Sequence, residues 1–336
     1  MKRITLLLSC LFAITFMQAK NPIFKFNNNG KFKIMQLTDT HIVWGSPNSL
    51  ETVELLNQVL DVEKPDLVIF TGDVVTGKPY REGLEMVIEP VLSRKIPWAL
   101  VYGNHDFEQD LTYEQLGELI SKYPYFAGNL KKQKNVSGYG NYVIEVKSQN
   151  GAATAALLYC MDSNNYSTLR PVVEGYGWFA FDQIAWYRRT SEKYTKKNGG
   201  KPLPALAFFH IPLLEYRAFE SCNGIKAGEK REKECAPEVN SGMFLSMLEK
   251  GDVMGTFVGH DHINDYIFDY YGIALAYGRF SGSKNTYTEL KNGCRLIELS
   301  ENERTFRTWL RLNGETTMLE VTYPQDFIVT PENKQE

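Results

Sequence analysis

Two kinds of apolar pattern alternate along the chain. Short continuous runs at residues 33–38, 67–71, 98–101, 155–159, 205–209 and 253–258 predict strands buried on both faces. Between them, apolar residues recur every three or four positions and predict helices. Val53, Leu56 and Leu60 keep to one helical face, after Asn48 and Glu51 in a capping-box pattern. Residues 83–92, 112–122, 181–197 and 241–249 carry similar helical patterns. Alternation of strand and helix argues for parallel sheet with helices outside. From about Asp265 the chain turns strand-rich: residues 265–270, 273–276, 295–299 and 305–312 predict antiparallel strands, with Tyr271-Gly272 as a turn. No repeat, low-complexity block or interdomain linker interrupts this. The expected organisation is a lead-in at 20–31, one domain at 32–312 and a C-terminal extension at 313–336.

The first nineteen residues differ from the rest. Lys2 and Arg3 precede an apolar run at 4–16, and Met17-Gln18-Ala19 leads into polar sequence, which is the layout of a signal peptide cleaved near Ala19. The run is short for a membrane span, and the apolar stretch before Cys10 is short for a lipoprotein signal. Export to the periplasm or medium is the expectation, without stable membrane insertion. Export makes disulfides admissible. Cys222 and Cys235 flank a polar loop, and the spacing fits either a disulfide closing it or free thiols. Cys160, at the end of an apolar run, reads as a core residue.

A hydrophobic content of 43% and a charged content of 23% over 336 residues suit a globular protein with a substantial core. The net charge of −3 offers no general attraction to nucleic acid, and no basic stripe with interleaved aromatics is present. An anionic substrate would need a local positive centre.

Candidates for that centre follow the buried strands. The first runs into Asp39-Thr40-His41, the second into Gly72-Asp73, and the third into Gly103-Asn104-His105-Asp106. Residues 205–209 end on His210, and 253–258 run into Gly259-His260-Asp261-His262. Strand ends of a parallel sheet share one edge, where ligands bind. The chain has 5 histidines, and all of them lie in these segments. One histidine after a strand is usually structural; this many at convergent strand ends, with aspartates and an asparagine, point to metal. Mixed imidazole and carboxylate donors suit zinc, manganese or iron rather than calcium. The donors are too many for one tetrahedral zinc, and two ions sharing a carboxylate accommodate them.

In that order, Asp-x-His, Gly-Asp, Gly-Asn-His-Asp, a lone His and Gly-His-x-His resemble the calcineurin-like metallophosphoesterases. Phe209-His210-Ile211-Pro212 and residues 259–266 resemble the single-domain relatives of purple acid phosphatases. The resemblance covers about residues 32–310. It implies a four-layer α/β/β/α sandwich with mixed sheets and hydrolysis of a small phosphoester at two metal ions. It implies Asp39, His41 and His262 on the first ion, Asn104, His210 and His260 on the second, and Asp73 bridging both. His105 is then the histidine that donates a proton to the leaving group or stabilises charge there. Thr76 stands where purple acid phosphatases carry a tyrosine, so a tyrosinate–iron colour is not expected. Thr76 and Gly77 also replace the Asp and Arg of the serine/threonine phosphatase motif.

Asn164, Tyr166 and Arg170 follow the strand at 155–159 and are candidate substrate contacts or an ordinary surface loop. Tyr176, in Tyr176-Gly177-Trp178-Phe179, is a candidate pocket wall or packs the next helix. Residues 215–237 read as a specificity loop or a solvated insertion. The expected activity is that of a phosphomonoesterase; the alternatives are a phosphodiesterase acting on a small nucleotide or lipid head group and a metal-binding pseudoenzyme.

Overall fold

The runs of Val, Ile, Leu and Phe that lack a polar face must lie between layers, and they form strands. The computed structural model describes residues 22–314 and 316–328. The expected leader at 1–19, Cys10 within it, and the end of the C-terminal extension lie outside the described residues. In chain order the first elements are β1 (Phe24–Lys25), β2 (Lys31–Leu37), α1 (Asn48–Glu63), β3 (Leu67–Thr71), α2 (Tyr80–Ser93), β4 (Trp98–Val101) and α3 (Tyr113–Ile120). Then come β5 (Tyr142–Lys147), β6 (Thr154–Cys160), α4 (Phe181–Lys197), β7 (Ala205–Phe208), β8 (Lys226–Ala227), α5 (Met243–Lys250) and β9 (Val253–Val258). The last are β10 (Ile267–Tyr270), β11 (Ile273–Tyr277), β12 (Gly293–Ser300), β13 (Phe306–Leu312) and β14 (Thr317–Tyr323).

The strands form two mixed sheets rather than one parallel sheet. A 6-stranded sheet has the order β14-β13-β12-β2-β3-β4, and an 8-stranded sheet the order β1-β5-β6-β7-β9-β11-β10-β8. β2, β3 and β4 run parallel, as do β6, β7, β9 and β11. The strand-rich C-terminal region supplies antiparallel strands to both sheets.

Side-chain alternation along β7 explains the layering. Leu206 and Phe208 enter the core between the sheets, while Ala205 and Ala207, with Phe209 just beyond, face the layer of Tyr187 in α4 and Met247 in α5. Phe257 of β9 meets Phe306 of β13 across the sandwich at 5.6 Å. α1 and α2 pack together over the 6-stranded sheet, giving the α/β/β/α sandwich. Arg295 of β12 is fully buried between the sheets. Its guanidinium donates to the carbonyls of Tyr277 (2.7 Å) and Asp265 (2.7 Å) and to Thr308 Oγ1 (3.2 Å), fastening one sheet to the other behind the turn of His260 and His262.

Several expectations are corrected. α1 begins at Asn48 after Pro47, with no side-chain cap; Ser49 Oγ instead bonds the backbone of Val43 at 3.0 Å in both directions. The capping box that does form is at α3, between Thr112 and Gln115. The 6-stranded sheet runs past Leu312, because β14 pairs with β13, and β1 from the lead-in pairs with β5. Cys222 and Cys235 are free thiols, as are Cys160 and Cys294. Cys222 Sγ is committed to the backbone at Asp269 (3.5 Å) and Gly224 (3.4 Å), whereas Cys235 is held by its own N–H to Asp261, so the loop is fixed without a bridge. Among the described residues, no helix is long and apolar enough to cross a membrane.

Candidate metal centre

The loops that bear the candidate residues leave the ends of β2, β3 and β4 in one sheet and of β7 and β9 in the other. The candidate site therefore sits where the two sheets' edges meet, not along one edge. Tight turns aim the donors. Asp39 (φ 53°), His41 (φ 41°), Asp73 (φ 51°) and His260 (φ 81°) all adopt left-handed backbone, a strained state that persists where surrounding structure enforces it. Gly103 and Gly259 permit close approach: a Cβ at the first would overlap the Asp73 carboxylate, and at the second Thr38 and Asp39.

Two buried donor groups result. Asp39, His41 and His262 form one, with His41 Nε2 3.2 Å from His262 Nε2 and His262 Nε2 3.6 Å from Asp39 Oδ1. Asp73, His210 and His260 form the other. In it His210 Nε2 is 3.2 Å from Asp73 Oδ2, 3.2 Å from Asn104 Oδ1 and 3.3 Å from His260 Nδ1. Asp73 Oδ2 also lies 3.8 Å from His41 Nε2, so one carboxylate stands between the groups.

The outer hydrogen bonds fix which ring nitrogens face inward. His210 Nδ1–H donates to the Thr71 carbonyl (2.8 Å), and His262 Nδ1–H to the Tyr287 carbonyl (3.1 Å). Each Nε2 is thereby turned to the site, where it offers a lone pair once its proton leaves, the usual arrangement for a metal-bound histidine. Asn104 Oδ1 points the same way, while its buried Nδ2 has no partner. Converging oxygens and imidazole lone pairs with few protons to share are a donor set that fits cations. These carbonyls have no sequence signal, since every residue has one.

Electrostatics agree. Burial opposes charge on Asp39, yet the hydrogen bond to His262 and the charges of His210 and His262 hold its carboxyl down at about 2. Against the same burial, His210 holds Asp73 well below the usual carboxylate range. His210 is pushed up to about 10, with Asp73 overcoming burial. Burial and the nearby His210 lower His260 to about 3, and burial lowers His41 to about 4. The site thus sets ionised carboxylates beside a charged His210 and neutral His41 and His260. A proton on His210 and a divalent ion compete for the same lone pair.

His105 lies apart from the donor groups, partly exposed, with its backbone N–H on Asp73 Oδ1 (2.8 Å). Its Nδ1 is 2.5 Å from Glu108 Oε2, and Glu108 Oε1 accepts from the Tyr166 hydroxyl (3.1 Å). Glu108 is a contact that motif reading missed; its only sequence signal is a carboxylate one helical turn after His105. With Nδ1 so engaged, Nε2 is the nitrogen left for a substrate. Glu108→Gln is expected to lower turnover of alkyl phosphate esters by roughly tenfold to a hundredfold, part of the contribution of a general acid. Para-nitrophenyl ester, with its better leaving group, should suffer less. Equal losses on both, at unchanged metal content, would rule out a role at the leaving group.

The remaining candidates separate. Tyr176 sets its ring edge-to-face on His260 (4.3 Å) and stacks on Tyr166 (5.7 Å), so both tyrosines border the centre. Asn164 is spent on structure, donating to the Trp178 carbonyl (2.8 Å) and Gln183 (2.9 Å). Arg170 lies over the Tyr166 ring (4.9 Å) and donates to the Gly175 carbonyl (2.9 Å). Tyr287, unremarked in the sequence, stacks on His262 at 4.3 Å.

Residues 32–264 match the model of the calcineurin-like phosphoesterase family. The chain is 35% identical over 291 residues to "Probable inactive purple acid phosphatase 29" of Arabidopsis thaliana, spanning 76% of this chain and 72% of the plant protein. It is 35% identical over 323 residues to phosphatase DCR2 of Saccharomyces cerevisiae, spanning 85% of this chain and 54% of the yeast protein. Among solved structures, a dimetal phosphatase from Danio rerio superposes with a TM-score of 0.60 at 13% identity, over 87% of this chain and 98% of the other. A purple acid phosphatase from yellow lupin seeds gives 0.53 at 11% identity, over 87% of this chain and 53% of that one. At these identities the structural likeness is one of fold.

Proposed function

This chain belongs to the calcineurin-like phosphoesterase family, hydrolases acting on phosphoester bonds, and from that premise we propose that it hydrolyses small phosphate monoesters at a pair of metal ions. The observation that carries the reading is Asp73, whose Oδ2 lies 3.2 Å from His210 Nε2 and 3.8 Å from His41 Nε2, between two buried donor groups. Asp39, His41 and His262 would hold one ion, Asn104, His210 and His260 the other, and Asp73 both. Iron, manganese and zinc suit these donors. Bound there, such ions supply Lewis acidity toward the phosphoryl oxygens and lower the proton affinity of the attacking water.

The chain's own residues supply the rest. The left-handed turns hold the donors preformed, so little reorganisation accompanies substrate binding. His105, anchored through Nδ1 by Glu108, delivers a proton from Nε2 to the departing ester oxygen. Tyr166 and Tyr176 wall the approach on the His260 side. With a net charge of −3, the protein relies on the metal centre to attract an anionic ester.

The word "inactive" in the name of a relative raises a second reading, metal binding without turnover. The meeting of every implied donor in the two groups, and the anchored His105, support turnover. Metal analysis of the mature protein, with para-nitrophenyl phosphate and its bis ester assayed on the same sample, decides between them. About two equivalents of transition metal and preference for the monoester are expected. Two bound metals with no turnover on a broad panel would favour the second reading, preference for the bis ester would make it a diesterase, and no metal after reconstitution would end both. The proposal includes export, on the strength of the leader at 1–19. A mature N-terminus near residue 20, found in the periplasm or medium, is the check.

A further inference from the structure

The His260 ring has a second edge. Nδ1 is turned toward His210 (3.3 Å), while Nε2 is buried with no hydrogen-bond partner, on a residue only 7% exposed. Cys235 Sγ, a carboxylate oxygen of Asp261 and a ring nitrogen of His260 lie within 4.8 Å of one another. This group is built rather than incidental. The Cys235 N–H donates to both Asp261 oxygens (3.2 Å each), and the Tyr277 hydroxyl donates to Asp261 Oδ2 (2.5 Å), which sets the carboxylate beside the thiol. The thiol bonds the Asp261 carboxylate and has a long contact with the Lys233 carbonyl (3.7 Å), on a residue exposed to solvent. No step of phosphoester hydrolysis uses Cys235 or Asp261.

We propose that Cys235, Asp261 and Nε2 of His260 form a third cation site, outside the inner pair, that takes a thiophilic divalent ion such as zinc or cadmium. Thiolate, imidazole and carboxylate together are a donor set for borderline and soft ions, while magnesium and calcium prefer oxygen alone. Three protein donors leave a position for water, and the exposed thiol gives the ion a path in. Binding forms Sγ–metal and Nε2–metal bonds. The Cys235 S–H bond breaks, as does the Nε2–H bond when Nδ1 already serves the inner centre, and both protons leave to solvent. No electrons are transferred. The claim that one imidazole then joins outer and inner sites rests on the proposed reading of His260 as an inner ligand; the outer site itself stands on the Cys235 group.

Titration of the metal-loaded protein with cadmium tests this. A thiolate-to-cadmium absorption band should rise to a plateau at about one equivalent, as a single site requires. It should vanish in Cys235→Ser and persist in Cys222→Ser, while Asp261→Asn weakens binding by about tenfold or more, a usual cost of losing one ligand or its support. Bound cadmium should also slow alkylation of Cys235 by iodoacetamide. Three results would overturn the site: no band, a band that survives Cys235→Ser, or a band accompanied by release of an inner ion, since cadmium has then entered the inner centre. Inner-metal content of Cys235→Ser, expected at the wild-type level, keeps failure of this site apart from failure of the two-metal reading.

Discussion

Replacing Asp73 by Asn should cut turnover by about a thousandfold or more, because removing even one preorganised electrostatic group from such a site costs hundreds-fold and Asp73 would serve both ions. Metal content should fall with it, from about two equivalents toward about one. The substitution is a clean test for two reasons. Asn tolerates the left-handed backbone at φ 51°, so the turn after β3 survives. An amide oxygen can still accept the His105 N–H that now reaches Oδ1 (2.8 Å). What is lost is the shared negative charge between His210 and His41. Steady-state kinetics and metal analysis on one preparation read both effects. Full metal occupancy with turnover within about tenfold of wild type would exclude a bridging role, since that loss is smaller than one misplaced catalytic donor produces.

The second large effect falls on stability, at the residue two positions after Asn104. Asp106 is buried, and its carboxylate serves backbone N–H groups rather than the metal-facing donor atoms. Its oxygens accept the N–H groups of Gly103 (2.8 Å), Asp73 (2.9 Å) and Val74 (2.9 Å), with the Tyr80 hydroxyl at 3.3 Å. It knots the turn after β3 to the turn after β4. Asp106→Ala leaves these donors buried without an acceptor, at about 1–3 kcal/mol each, so a loss of about 4 kcal/mol or more is expected. Urea unfolding of the metal-free protein measures it. Asp106→Asn, which keeps one acceptor oxygen but turns an NH2 toward N–H groups, should fall between. The two sites dissociate the effects: Asp73→Asn spares the fold and loses chemistry, whereas Asp106→Ala loses both. A stable Asp106→Ala protein, within about 1 kcal/mol of wild type, would mean that water replaces the carboxylate in the knot.

Much of this was legible in the chain because the donors follow strands whose apolar runs are unmistakable. His210 after residues 205–209 and His260 after 253–258 could only emerge at a sheet edge. The alternation of Leu206 and Phe208 with Ala205 and Ala207 could not be sorted in sequence, since an all-apolar strand hides which face meets which layer. The apolar pattern alone therefore did not divide the strands between two sheets; the four-layer sandwich came from the family resemblance. β14 was missed because Thr317–Tyr323 is an edge strand with little burial and no apolar run. The Asn48–Glu51 pattern misled because Pro47 takes the N-cap position, so Asn48 is already the first helical residue, a one-residue offset that spacing alone does not reveal. Glu108 and Tyr166 meet across a sequence gap of 58 residues, and Cys235 meets Asp261 across 26. Contacts of that kind depend on loop paths that no periodicity encodes.

The left-handed turns at Asp39, His41, Asp73 and His260 also bear on how this centre can change over evolutionary time. Apart from glycine, which has no donor to offer, the residues most at ease in that backbone are Asn, Asp and His. Substitution at these positions is therefore channelled among oxygen and imidazole ligands. Glutamate and cysteine, chemically able to bind metal, meet a conformational toll before any ion is present. The lineage can drift between metals that accept N and O donors through single steps, while an all-thiolate centre lies behind a backbone barrier that selection on ligand chemistry alone does not lower.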